Sequence, residues 1–237
     1  MTYTISNIQT SIFVRNAESP NGNLDLASKL KATCKFLDKD PQIWPTENAP
    51  DDIPRIIASS ADGSHEVVIN KKKVGYIWNV NANSENLEGK IHVFRTEYLP
   101  SLLKLVYDNE LNWKINRVGT ILNIETDLGE NKTAAELIRD RYFSKNSKDI
   151  FNNPIEMQYQ YITRAVMEGV DTNILVAMSQ KGSGININKS ILIANFDVNS
   201  APENMTKADY KKDEVEKFIE KAFTKLKILP SEYQLGS

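Results

Sequence analysis

Cysteine is nearly absent: the 237 residues include one, Cys34, and only two histidines, His65 and His92. A lone cysteine excludes an intrachain disulfide framework and any cysteine-based zinc site. Neither histidine has a histidine or cysteine neighbour at ligand spacing, so no metal centre is expected. An excess of one charge is missing too. Lysine and arginine number 29 against 31 aspartates and glutamates, which leaves no global field to attract nucleic acid or an anionic membrane. No window approaches the ~18 apolar residues of a membrane span. The opening Met1-Thr2-Tyr3-Thr4-Ile5 lacks the basic flank and apolar core of a secretory signal. A cytoplasmic protein without membrane partner or cofactor is expected. Catalytic signatures are lacking as well. There is no Gly-x-Ser-x-Gly elbow, and the glycine-rich Lys181-Gly182-Ser183-Gly184 falls between two predicted strands, without the helix N-terminus that makes a phosphate loop work.

What is present is an order of elements stated twice. From Tyr3 to Asp108 the chain reads as a long alternating strand, a helix, a cluster of strands and a helix, and from Trp113 to Leu226 that order recurs. The expected fold is α+β in two similar halves, 1–110 and 111–237, produced by an internal duplication. Each half is an antiparallel sheet packed against helices, tightly associated with the other or merged with it into one continuous sheet.

In the first half Ile8, Thr10, Ile12 and Val14 alternate as one face of a strand. Asn23 is the predicted cap of a helix whose stripe is Leu24, Ala27, Leu30, Cys34 and Leu37, which makes Cys34 a core residue. Pro41, Pro45, Pro50 and Pro54 forbid a helix or a central strand between Asp40 and Pro54, and Trp44 is expected to pin this connection to the core. Three strands follow: Arg55–Ser59, His65–Ile69 after an Asp62-Gly63 turn, and Val74–Val80 after the Asn70–Lys73 turn. The run 79–88 reads as loop. Tyr98, Leu99, Leu102, Leu103, Val106 and Tyr107 form the next helical stripe, with Pro100 in its first turn.

In the second half Trp113–Thr126 is apolar on both phases, which predicts a central strand covered on both faces. Thr133 and Glu136 form a capping-box pattern. Three antiparallel strands are predicted at Glu156–Glu168, Asp171–Gln180 and Lys189–Asn199. Val215, Phe218, Ile219, Ala222, Phe223 and Leu226 then mark an amphipathic helix that Pro230 should end.

Chemistry-bearing patterns are few. Asp62 with Glu88-Gly89-Lys90, followed by the strand-like Ile91–Phe94, has the composition of a metal-dependent nuclease site, in which two carboxylates hold the ion. Lys71, Lys72, Lys73, Lys90 and Arg95 could contact nucleic acid if the fold brought them together. Tyr76, Trp78, Trp113, Tyr159 and Tyr161 could line an apolar cavity.

Three stretches resemble a sporadically distributed family of uncharacterised bacterial proteins. They are Ile53-Pro54-Arg55 with Ser60–Ser64 and Val67–Trp78; Phe94–Pro100 leading into Asn116–Asn123; and the amphipathic end Val215–Tyr233. In that family an Arg-Val/Ile-Gly stretch followed by Asn marks the central strand, as Arg117, Val118, Gly119 and Asn123 do here; Leu122 replaces the usual tyrosine. The resemblance implies this architecture and a bacterial setting, with the patchy occurrence of accessory and anti-phage defence genes. Three functional expectations result. The first is a non-catalytic protein-binding or scaffold component with a protein partner or a homo-oligomeric state. The second is a nucleic-acid-binding or nuclease-associated protein. The third is a small-molecule binder with a cavity under the C-terminal helix.

Overall fold

The structure is a computed structural model and describes residues 3–15, 17–45, 49–129, 133–143, 154, 156–181, 188–203 and 209–235. The glycine-rich Gly182-Ser183-Gly184 and the whole of 144–153 lie outside the described residues.

Strand β1 (Thr4–Val14) buries Ile5, Ile8, Thr10, Ile12 and Val14. The three-residue step from Ile5 to Ile8 is a bulge: the register shifts between Ile5 and Asn7 against both neighbouring strands. The bulge turns Asn7 to the opposite side of the sheet from Ile5 and Ile8. Helix α1 (Gly22–Thr33) follows. Its N-cap is Asn21 rather than Asn23, because Gly22 supplies the positive φ of 86° that admits the chain. Leu24 is 72% exposed, and Leu26, Ala27 and Leu30 form the buried stripe instead. Cys34 is fully buried, and burial pushes its thiol up to about 12.

Among its described residues the proline-rich connection contains one strand, the two-residue edge strand β2 (Gln42–Ile43). Trp44 does not pin it: the residue is 51% exposed. Strands β3 (Ile56–Ser59), β4 (His65–Ile69) and β5 (Lys73–Asn83) form the expected meander, with Gly63 at φ 72° in the first turn. β5 runs on to Asn83, and the predicted loop and strand after it are a helix. Helix α2 (Leu87–Val93) passes through a π turn (Phe94–Tyr98) into α3 (Leu99–Val106). Pro100 explains the π turn. It has no N–H to give the Thr96 carbonyl, and Leu99 N–H bonds Phe94 O, one residue further back than in an α-helix. The extra residue keeps Leu87, Ile91 and Phe94 on the same side as Leu102 and Val106, all of them buried.

Strand β6 (Ile115–Asp127) pairs with β1 on one side and with β9 on the other. It is not covered on both faces. Val118, Thr120, Leu122 and Ile124 are buried, whereas Arg117, Ile121 and Asn123 are half-buried on the other side. Helix α4 (Ala134–Tyr142) has its capping box in full: Glu136 N–H donates to Thr133 Oγ1 at 3.1 Å, and Thr133 N–H donates to Glu136 Oε2 at 2.9 Å. Strands β7 (Gln158–Met167), β8 (Val170–Lys181) and β9 (Asn188–Ser200) succeed one another. Helix α5 (Lys212–Glu232) ends the described chain, with Val215, Phe218, Ile219, Ala222, Phe223 and Leu226 buried. Pro230 lies inside it rather than ending it, because only the carbonyl of Leu226 loses a donor and the last turn closes with Tyr233 N–H on Leu229 O.

The fold is α+β, and the nine described strands form one antiparallel sheet in the order β2-β3-β4-β5-β1-β6-β9-β8-β7. The halves meet along β1 and β6, with Ile8 opposite Leu122 and Thr10 opposite Thr120. The core takes one face of β3, β4, β5, β1, β6, β9 and β8, through Ile56, Val67, Tyr76, Ile12, Leu122, Phe196 and Val176, together with the apolar stripes of the helices. The opposite face contributes nothing to it. Ile77, Ile121, Ile193 and Leu175 stay outside the core and are half-buried, although no described helix covers them.

Candidate functional site

The uncovered face of the sheet is organised by register. One row places Asn79, Asn7, Asn123 and Asn195 side by side on β5, β1, β6 and β9. The next places Ile77, Gln9, Ile121, Asp197 and Leu175 together, and the third Gly75, Ser11, Gly119, Asn199 and Asn173. Lys73, Phe13 and Arg117 form the fourth.

The amides are wired to one another. Asn123 Nδ2 donates to Asn7 Oδ1 at 2.7 Å, Asn195 Nδ2 to Asn123 Oδ1 at 2.7 Å, and Gln9 Nε2 to Asn7 Oδ1 at 2.9 Å. This orientation leaves unused amide N–H groups at the Asn7 end and an unused carbonyl oxygen at the Asn195 end, among the described residues. With strands about 4.8 Å apart, the two ends stand roughly 10 Å from each other. A fixed donor and a fixed acceptor on a half-buried floor, flanked by Ile77, Ile121 and Leu175, suit a partner that presents peptide groups and apolar side chains.

Beside the row, Arg117 Nη2 donates to Asn199 Oδ1 at 2.6 Å and its guanidinium lies 4.9 Å from the centre of the Phe13 ring. Gly119 allows this close assembly, since a Cβ there would stand 3.0 Å from Asn199 Cβ. Burial raises the pKa of Asp197, opposed by a hydrogen bond from Asn199 and the charge of Arg117. A carboxylate with a raised folded pKa contributes stability below its unfolded pKa and loses it as pH rises through the folded value. Asp197→Asn is therefore expected to raise the melting temperature at pH 7, with the gain shrinking as pH falls toward the carboxylate range. A lower melting temperature at pH 7 would show that the Arg117 attraction outweighs burial.

A second polar group lies on the helix side. His65 is packed among Phe36, Tyr76, Trp78 and Tyr98, with ring centroids 4.5–6.1 Å away, and its Nδ1 hydrogen-bonds the Tyr76 hydroxyl at 2.8 Å. Ser60 and Asp62 are adjacent but wired differently from a hydrolase relay. Ser60 Oγ donates to Asp62 Oδ1 at 2.6 Å and accepts the His65 backbone N–H at 2.9 Å, so the imidazole holds no nucleophile. Hydrogen bonds from Ser60 and Ser64 hold the Asp62 carboxyl well below the usual range.

The residues singled out in the sequence are not gathered. Lys71 and Lys72 pair with Asp51 at 3.5 and 2.9 Å at the β4–β5 turn, and Lys73 begins β5 on the uncovered face. Lys90 lies in the helix layer, 5.4 Å from the Trp78 ring centre, and Arg95 pairs with Glu220 of α5 at 2.8 Å. The nuclease pattern is broken, because Glu88 and Lys90 are helical and Glu88 pairs with Lys227 at 3.1 Å. His92 is likewise on a helix, and the described residues contain no cluster able to hold a metal ion. Of the aromatic residues, Tyr76, Trp78 and Trp113 are buried core, Tyr159 stacks on Tyr142 at 4.1 Å, and Tyr161 is 47% exposed. Asn7, Gln9 and Asn195 were missed by sequence reading. Arg117, Gly119 and Asn123, quoted for the resemblance, all stand on the uncovered face.

No known family's profile matches the chain, and no curated protein is similar to it. Among the described residues no helix is long and apolar enough to cross a membrane.

Proposed function

We propose that this protein is a non-catalytic, protein-binding component whose working surface is the uncovered face of the nine-stranded sheet. The observation that carries the reading is the hydrogen-bonded row Asn7–Asn123–Asn195, flanked by half-buried apolar side chains and by the Arg117–Asn199 contact. Three cations of this face are engaged rather than free for the phosphate contacts that dominate nucleic-acid affinity: Lys181 pairs with Glu125 at 2.6 Å, Arg164 with Glu203, and Arg117 is held by Asn199 and the Phe13 ring. Of the five cations named from the sequence, Lys71 and Lys72 are at a hairpin turn, Lys90 and Arg95 in the helix layer, and only Lys73 is on the uncovered face.

Membership of the sporadic bacterial family, and with it a role in an accessory or anti-phage defence system, belongs to this proposal. So does the origin of the halves in one duplicated unit. The strand orders β3-β4-β5-β1 and β7-β8-β9-β6 support it, because they run outward to inward alike on the two sides of the β1–β6 junction.

The test is size-exclusion chromatography with light scattering of the protein mixed with the products of neighbouring genes. Asn123→Arg and Ile121→Asp, both at half-buried positions outside the core, are expected to weaken the complex about tenfold or more while the protein stays folded, with no more than a modest fall in melting temperature. Lys217→Ala on the wet face of α5 should leave binding unchanged. Full binding by both sheet variants would overturn the reading. Salt-sensitive gel shifts with DNA or RNA that vanish in Asn123→Arg would assign the same face to nucleic acid instead.

A further inference from the structure

The two edges of the sheet are built oppositely. At one end β2 is two residues long and stands between Pro41 and Pro45, a guarded edge. At the other end β7 is ten residues long, contains no proline or lysine, and pairs with β8 without a register shift. Its single charge, Arg164, is engaged by Glu203. Among the described residues nothing pairs with its outer side, and Tyr161, Ile162 and Val166 are 47, 55 and 70% exposed. A long, unguarded and apolar edge is a template for another strand.

We infer that β7 pairs antiparallel with β7 of a second copy of this chain, about a two-fold axis through Ile162, joining two nine-stranded sheets edge to edge. Which backbone groups of β7 face outward follows from the hairpin. Glu168 and Gly169 have φ of 50° and 76°, a type I′ turn that closes on Met167 opposite Val170 as a hydrogen-bonded pair. Alternation then turns the backbone groups of residues 167, 165, 163 and 161 toward β8, and those of 166, 164, 162, 160 and 158 outward. A two-fold axis normal to the sheet keeps each face on its own side, so one residue must meet its own copy. With Ile162 at the axis, Gln160 faces Arg164 and Gln158 faces Val166 of the other chain, and no like charges are opposed. On the helix side Tyr161 comes beside Thr163 of the other chain. There it reaches the mouth of a groove of about 370 Å³ whose walls include Ala165, Ile174, Thr224 and Ile228. Each copy offers the exposed ring and each offers the groove, as an isologous interface requires.

A single strand pair with one aromatic anchor lies at the small end of specific interfaces, so the dimer should be concentration-dependent with a micromolar dissociation constant. Light scattering is expected to show a mass rising toward twice the 26.8 kDa of one chain as concentration increases. Ile162→Lys, which opposes two charges at the axis, should hold the protein monomeric with its melting temperature at low concentration unchanged. Ile162→Pro provides a second variant, since it removes an N–H that faces outward in the monomer. The register is read by cysteine substitution, Cys34 being buried. Ile162→Cys should oxidise to a covalent dimer, because a hydrogen-bonded antiparallel pair sets the Cα atoms about 5.5 Å apart. Val166→Cys should not. A wild type that stays monomeric at every concentration, a dimer that survives Ile162→Lys, or cross-linking at position 166 and not at 162 would each overturn the inference.

Discussion

Phe223→Ala is expected to remove ~3–5 kcal/mol of stability, a large share of the ~5–15 kcal/mol that holds a domain of this kind folded. Phe223 is 1% exposed in the middle of α5 and meets Phe94 edge to face at 5.1 Å. Phe94 in turn stacks against Tyr76 at 5.5 Å, so the ring joins α5, the π turn and β5 in one contact chain. Truncation leaves a cavity bounded by three elements that cannot all collapse into it. Lys221→Ala, two residues away on the wet face, loses a 3.5 Å ion pair with Glu168 and is expected to cost no more than about half a kcal/mol. Thermal melts of the two variants separate the expectations. A Phe223→Ala protein that melts like wild type would mean that the stripe is not core.

Tyr76→Phe is the second substitution of large expected effect. It removes the hydroxyl that His65 Nδ1 bonds at 2.8 Å and leaves a buried ring nitrogen without a partner, at a cost of ~1–3 kcal/mol. The same burial gives the stability a pH dependence. Desolvation lowers the His65 pKa, offset in part by Asp62. The fold therefore favours the neutral ring. Its contribution is fully present above the unfolded value of about 6.5 and is lost as pH falls from there through the lowered folded value. Melting temperatures followed from pH 8 to pH 4 should decline below the unfolded value, and the decline should flatten in His65→Gln. A wild-type profile that is level across that window would place the imidazole in contact with water.

Much of this architecture is legible in the sequence, and the failures have physical causes. The stripe of α5 and the Thr133–Glu136 box are local, so periodicity and spacing suffice to find them. The helix α2 was hidden. Its first turn carries Glu88, Gly89 and Lys90, Val93 at its end and Phe94 just after it favour strands, and the π turn displaces the helical period by one residue. Two apolar phases in β6 suggested two covered faces, but Ile121 and Gly119 serve a face that no described helix covers. The amide row was the least accessible feature. Asn7, Asn123 and Asn195 come from three distant strands, and a bulge at Ser6 had to be known before Asn7 could be placed opposite Asn123. Single asparagines in strand contexts otherwise read as turn residues.

The position of β1 has a consequence for synthesis. It leaves the ribosome before the other eight described strands, yet it sits at the centre of the sheet, and its second neighbour is complete only when Asp127 has been made. A nascent first half thus carries an open central edge with Ile5, Ile8 and Ile12 beside it until β6 arrives. Such high contact order predicts slow folding. It also makes chaperone demand fall on the interval between the emergence of β5 and that of β6.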